Sequence, residues 1–274
     1  MSEESPIKVA QEGVSLVAEV IKAAGDNPQV KEAASNLGQT AVTLTKTINN
    51  VLVPLAAINF AFDKARAYFS GKFQQEIAAK AEAIPAEHIV EPKASIAGPT
   101  LQGLAFTHEE PNLKEMYLNL LATAMDGRAA TLAHPAFVEI IKQLDSEDAR
   151  LVRAALQSPV PIPIVQIHRT LKDSKGFNLL VQHLLNLTNS TTGEPVEDPQ
   201  LPAMIDNWIR LGLVEVAYDK HLTDMTKYSW VDQRPEYLRL SREPQPDEAK
   251  IEYTKGILQR TELGKRFAKA IGLL

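Results

Sequence analysis

The 274-residue chain contains no cysteine. Disulfide stapling, thiolate catalysis and cysteine-based zinc sites are excluded together, and a reducing compartment fits. Also missing are an HExxH pair, a GxxxxGK[ST] loop, a GxGxxG turn after a strand and a GxSxG elbow. Their absence removes the zincin site, the two familiar phosphate cradles and the hydrolase nucleophile turn. None of the six histidines has another histidine three or four residues away. No metal, cofactor or catalytic centre is expected.

Long apolar runs are missing too. The most apolar stretch, Val51 to Phe62, is broken by Asn59. As a helix it covers roughly 18 Å, short of the ~30 Å hydrocarbon core. The start, Met-Ser-Glu-Glu-Ser-Pro, is acidic and is not a secretory signal. The expected location is cytoplasmic, with peripheral contact at the inner membrane as the alternative. A net charge of −5 gives no general attraction for phosphate backbones.

What is present is an ordinary globular composition, 45% apolar and 23% charged, in a chain long enough for two domains. Residues 1–62 read as N-terminal helices, alanine- and threonine-rich and mildly amphipathic, with a stop at Gly25-Asp26-Asn27-Pro28 and a kink at Pro54. Another helix is expected from Asp63 to Ala83. Pro85, Pro92, Pro99 and Pro111, with Gly98 and Gly103, predict an irregular segment from Ile84 to Pro111.

Leu113, Met116, Tyr117, Leu120, Leu121 and Ala124 then recur at helical spacing, ended by Asp126-Gly127. A second helix is expected from Pro135 to Leu144. A third follows, with Asp145 or Ser146 as its cap. Short connections make these three antiparallel or angled neighbours.

Ser158-Pro159-Val160-Pro161-Ile162-Pro163 is a stiff connector, placed as the domain boundary. Beyond it, helices are expected at Ile164–Leu171, Phe177–Leu187 and Leu201–Leu211. Leu213–Tyr218, Tyr237–Leu240, Ile251–Tyr253 and Ile257–Leu258 read as strands, and Thr261 caps a final helix. The expected fold is mainly α: a helical bundle over 1–157, then a small α+β winged-helix-like domain over 158–274.

In that reading the groove-reading helix has Asp206 and Arg210 as its only charges, a poor phosphate attractor. Lys255, Arg260, Lys265, Arg266 and Lys269 form a candidate basic face on the closing helix. Protein contact is its favoured use over nucleic acid.

The central block carries a resemblance. Val53-Pro54-Leu55, the proline-punctuated stretch from Ile84-Pro85 to Pro99-Thr100-Leu101, and Asn119-Leu120-Leu121-Ala122-Thr123-Ala124-Met125-Asp126 come in succession. They are followed by His134-Pro135-Ala136-Phe137 and by Leu144-Asp145-Ser146-Glu147-Asp148-Ala149. Together they resemble the bacterial abortive infection alpha family, with residues 63–157 as its core. The resemblance implies a role in phage defence and names no reactive group.

Asn119, Asp126, His134 and Glu139 are the polar residues of this block that make the candidate functional surface. Capping and buried hydrogen bonding are the bland reading of all four. The expected partner is a phage or host protein. Self-association and membrane action by the N-terminal helices are the alternatives.

Overall fold

The computed structural model describes Gly38, Val42 and residues 61–171, 176–245 and 249–274. The helices expected within 1–60, with their membrane and bundle readings, fall outside the described residues except at Gly38 and Val42, which are helical. Two compact units divide the chain: residues up to Arg150 with Arg266–Leu274, and Leu151–Lys265.

The first unit is helical. Its elements are α1 (Ala61–Ser70), α2 (Lys72–Ala81), α3 (Ala94–Thr107), α4 (Pro111–Met125) and α5 (Pro135–Lys142). The next helix, α6 (Ser146–Gln157), crosses the division at Arg150. The six periodic residues of α4 are all buried. Pro111 starts it where a missing N–H does no harm. Gly71 divides the single helix expected over 63–83.

The segment expected to be irregular contains α3, with Pro99 inside the helix. An internal proline costs about 3 kcal/mol. Ile96, Leu101 and Leu104 are almost wholly buried in return, each worth roughly 1.5–3 kcal/mol. Burial wins. Gly103 permits the approach of α3 to α4, because a Cβ there would lie 2.4 Å from Tyr117 Cζ.

The second unit carries the strand content that a mainly α reading leaves out. It is built on a curled four-stranded antiparallel sheet in the order β2-β1-β4-β3: β1 (Ile162–Thr170), β2 (Phe177–Leu184), β3 (Val214–Ala217) and β4 (Lys250–Arg260). The chain is therefore mixed α+β. Helices α7 (Leu201–Arg210) and α8 (Pro235–Arg242) belong to this unit, and α9 (Glu262–Ala270), which crosses the division at Lys265, completes the described α-helices.

The helices expected at 164–171 and 177–187 are β1 and β2. Central β1 buries Ile164, Val165, Ile167 and His168, so both faces are covered and the period-2 signal disappears. Its β-branched Ile and Val residues favour the strand. In β2 the register against β1 shifts between Val165 and Ile167 and again between Ile167 and His168. The extra residue lets Val181 and Leu184, three apart, reach the same buried cluster, a spacing that imitates a helix. With two expected helices replaced by strands, the helical frame that a winged-helix reading requires is not what precedes α7.

Tyr237–Leu240, expected as strand, lies in α8. Pro235 at its start, Glu236 in the first turn and Arg239 and Arg242 in the last all favour a helix. Four alternating residues are too few to oppose them. The strand expectations at 213–218 and 251–258 correspond to β3 and to one long β4. On one side of the sheet Val165, Ile167, Leu184, Tyr228 and Val231 form a buried cluster, with Tyr237 and Leu240 of α8 packed against it.

Candidate functional site

Each polar residue singled out in the central block has a local structural task. Asn119 Nδ2 donates to the Ile271 carbonyl at 2.8 Å, and Thr123 Oγ1 to the Ala270 carbonyl at 2.9 Å. Together they close the C-terminus of α9 just before Gly272, whose φ of 69° ends the helix.

Asp126 stops α4 and accepts from the Arg128 Nη2 at 2.7 Å, its Nε at 2.9 Å and its backbone N–H at 2.9 Å. The Arg128 side chain holds this carboxyl below the ordinary aspartate range. His134 caps α5, its Nδ1 accepting from the Ala136 N–H at 3.1 Å. Glu139 is exposed and pairs with Lys142 at 2.9 Å. Among the described residues, no hydrogen bond runs from one of these four to another.

The basic set is divided. Lys255 and Arg260 lie on β4, not on the final helix. The Lys255 ammonium sits 5.7 Å from the Tyr228 ring centre, and Arg260 Nη1 donates to the Leu156 carbonyl at 2.8 Å. Lys265 pairs with Glu262 at 2.6 Å, while Arg266 and Lys269 are exposed on α9. The alternation of β4 also turns Lys255 and Arg260 to opposite sides of their strand, so the five are not one helical face.

A different group of residues converges in the second unit. His183 lies in β2 where its pairing with β1 is irregular. Among the described residues it is the one non-glycine residue with a left-handed backbone, φ 56°. That conformation costs about 1–2 kcal/mol outside glycine. Bulges re-aim side chains, and here the imidazole is buried between Tyr218 and Asp206.

The hydrogen bonds fix the tautomer. Asp206 Oδ1, on α7, can only accept, so His183 carries its proton on Nε2 and donates at 3.2 Å. Nδ1 then accepts the Tyr218 hydroxyl proton at 3.0 Å. The His183 backbone N–H donates to the same phenol oxygen at 3.1 Å. The two rings stack with centres 6.0 Å apart and planes inclined by 18°.

Gly256 of β4 makes room for Tyr218, since a Cβ there would lie 2.6 Å from Tyr218 Cδ1. Burial pushes the His183 imidazole below its usual value, against the pull of Asp206. Burial pushes the Tyr218 phenol up to about 12, opposed in part by the His183 N–H. Both stay neutral near pH 7, and the group holds β2, the end of β3 and α7 together. Its members are 23 and 12 residues apart in sequence, so no motif spacing reveals them.

β2 is also an edge strand. Phe177 and Leu179 on it are 51% and 45% exposed, and none of its eight residues is charged. The opposite edge, β3, has four residues and carries Glu215. Short length and charge are common protections of a sheet edge. β2 lacks both.

No curated protein and no solved structure matches the chain. A family model does, that of abortive infection alpha, over residues 65–271. It runs beyond the central block through the whole sheet and into the final helix. On that coverage the chain belongs to the abortive infection alpha family.

Proposed function

We propose that the protein defends a bacterial cell against phage by abortive infection, and that it acts by binding an extended, uncharged segment of a phage or host protein. Family membership over 65–271 carries the defence role. The uncharged β2 edge with exposed Phe177 and Leu179 supports the binding role. Strand addition to such an edge draws affinity from main-chain hydrogen bonds and selectivity from alternate side chains. A neutral edge offers no ion pair to a charged partner strand, so an uncharged segment loses nothing there.

Membrane action is the competing reading. Among the described residues no helix is long and apolar enough to cross a bilayer, and no observation favours that route over binding.

The test is phage plaquing on cells expressing the wild-type chain, the Leu179→Lys variant, or neither. Wild-type expression should lower plaquing, and Leu179→Lys should restore it with thermal stability unchanged. Equal plaquing with and without the wild-type protein across a broad phage panel would defeat the defence role. Full defence by a folded Leu179→Lys protein would defeat the contact edge alone.

A further inference from the structure

We propose that His183 is a proton-operated latch at the irregular end of β2: its neutral imidazole clamps β2 to Tyr218 and to α7, and a proton on Nδ1 releases the clamp. The argument starts from the backbone. A left-handed histidine is unfavourable on its own and persists only when its surroundings over-determine it. Here the restraint is three hydrogen bonds, two of which meet at the Tyr218 phenol.

Protonation rearranges this set. An imidazolium donates from both nitrogens, so the Tyr218 hydroxyl loses its acceptor and must turn away. The phenol oxygen then faces two donors, the His183 backbone N–H and the new Nδ1–H. The added charge would sit on a side chain only 4% exposed, where desolvation opposes it. The charge facing it is Asp206 on α7, whose side chain is 65% exposed and screened by water. From the end of β3 it meets the neutral Tyr218, and the β1 residues paired on either side of the irregularity are the uncharged Val165 and Ile167, with Gln182 and Leu184 beside it on β2 itself. None of these offers further compensation. The lowered proton affinity of the buried ring agrees with that balance.

The consequence is directional. The open form takes a proton more readily than the clamped form, so acid favours opening. For one linked proton the opening constant rises by up to about tenfold per pH unit below the free histidine value. The connection to defence rests on β2 being the contact edge proposed above; the latch itself does not.

Hydrogen exchange of the full chain, corrected for intrinsic chemistry and followed from neutral to mildly acid pH, reads the opening directly. His183→Asn is the comparison, because asparagine tolerates left-handed backbone and does not titrate. Expected in the wild type is a rise in exchange across 177–187 and 214–219 of up to about tenfold per unit, with a flat response in His183→Asn. The His183 ring resonances should titrate below 6.5.

The same slope in both proteins, no slope in the wild type, or a His183 midpoint at or above 6.5 would overturn the latch. Leu179→Lys separates the two readings. A retained slope with undiminished defence removes the contact edge and leaves the latch, whereas lost defence with no wild-type slope does the reverse.

Discussion

Arg234 and Glu236 form an ion pair at 2.7 Å with side chains only 1% and 7% exposed. The guanidinium also donates to the Leu187 carbonyl at 2.6 Å and the Val196 carbonyl at 2.7 Å. One buried arginine thus fastens the long connection between β2 and α7 to the start of α8. Four hydrogen bonds from one guanidinium make the connection part of the fold.

Removing one partner strands the other. Arg234→Ala leaves a buried carboxylate and the Val196 carbonyl without their donor, while the Leu187 carbonyl keeps only the Val196 N–H, and should lower stability by about 3–5 kcal/mol. The midpoint of denaturant unfolding measures it. A loss under about 1 kcal/mol would place the pair among surface contacts, whose typical worth is in that range. Replacing both residues by apolar ones of similar volume should recover much of the loss.

Gly264 meets a harder limit. A Cβ there would lie 2.0 Å from the Leu213 carbonyl oxygen, a backbone atom that cannot swing aside. Gly264→Ala should destabilise by about 3 kcal/mol or more, at the upper end of overpacking. Gly193 is the counterpart. It has φ 72° and nothing within 4 Å of the place a Cβ would occupy, so Gly193→Ala should cost only the left-handed penalty of about 1–2 kcal/mol. Thermal or denaturant unfolding of the two variants orders them, and the reverse order would refute the packing argument.

The Asp126 carboxyl titrates below its unfolded value of 3.8 because Arg128 donates to it. A depressed acid stabilises the fold above its unfolded value. That contribution is lost as pH falls through the lower folded value. Asp126→Asn should therefore lower stability at neutral pH and flatten the acid limb of the stability curve, with little difference left at strongly acid pH. Parallel curves for the two proteins down to acid would mean that the ion pair contributes nothing through titration.

The strong periodicity of α4, the caps at His134, Asp145 and Thr261, and the stop at Gly212 (φ 71°) after α7 are legible in the sequence because each is a local signal. Asp145 Oδ1 accepts from the Glu147 and Asp148 amides, and Thr261 Oγ1 from the Gly264 amide. β1 and β2 are not legible. A strand buried on both faces loses its alternation, and bulges in its neighbour substitute a helical one. The His183 group is invisible for a different reason: its partners come from α7 and the end of β3, and only the sheet brings them together. The four central polar residues are conspicuous in the sequence, but what makes them so is capping and pairing.

That distinction separates structural from contact roles. Asn119→Ala leaves the Ile271 carbonyl without its donor, and an unsatisfied buried acceptor costs about 1–3 kcal/mol. His134→Ala removes an N-cap worth about 1 kcal/mol. Both variants should unfold more easily yet defend against phage in proportion to the folded protein that remains, as measured by plaquing against soluble protein level. Leu179 is 45% exposed, so Leu179→Lys should do the opposite, keeping stability and losing defence. If Asn119→Ala or His134→Ala abolished defence at wild-type protein levels, the working surface would belong to the central helices and not to the β2 edge.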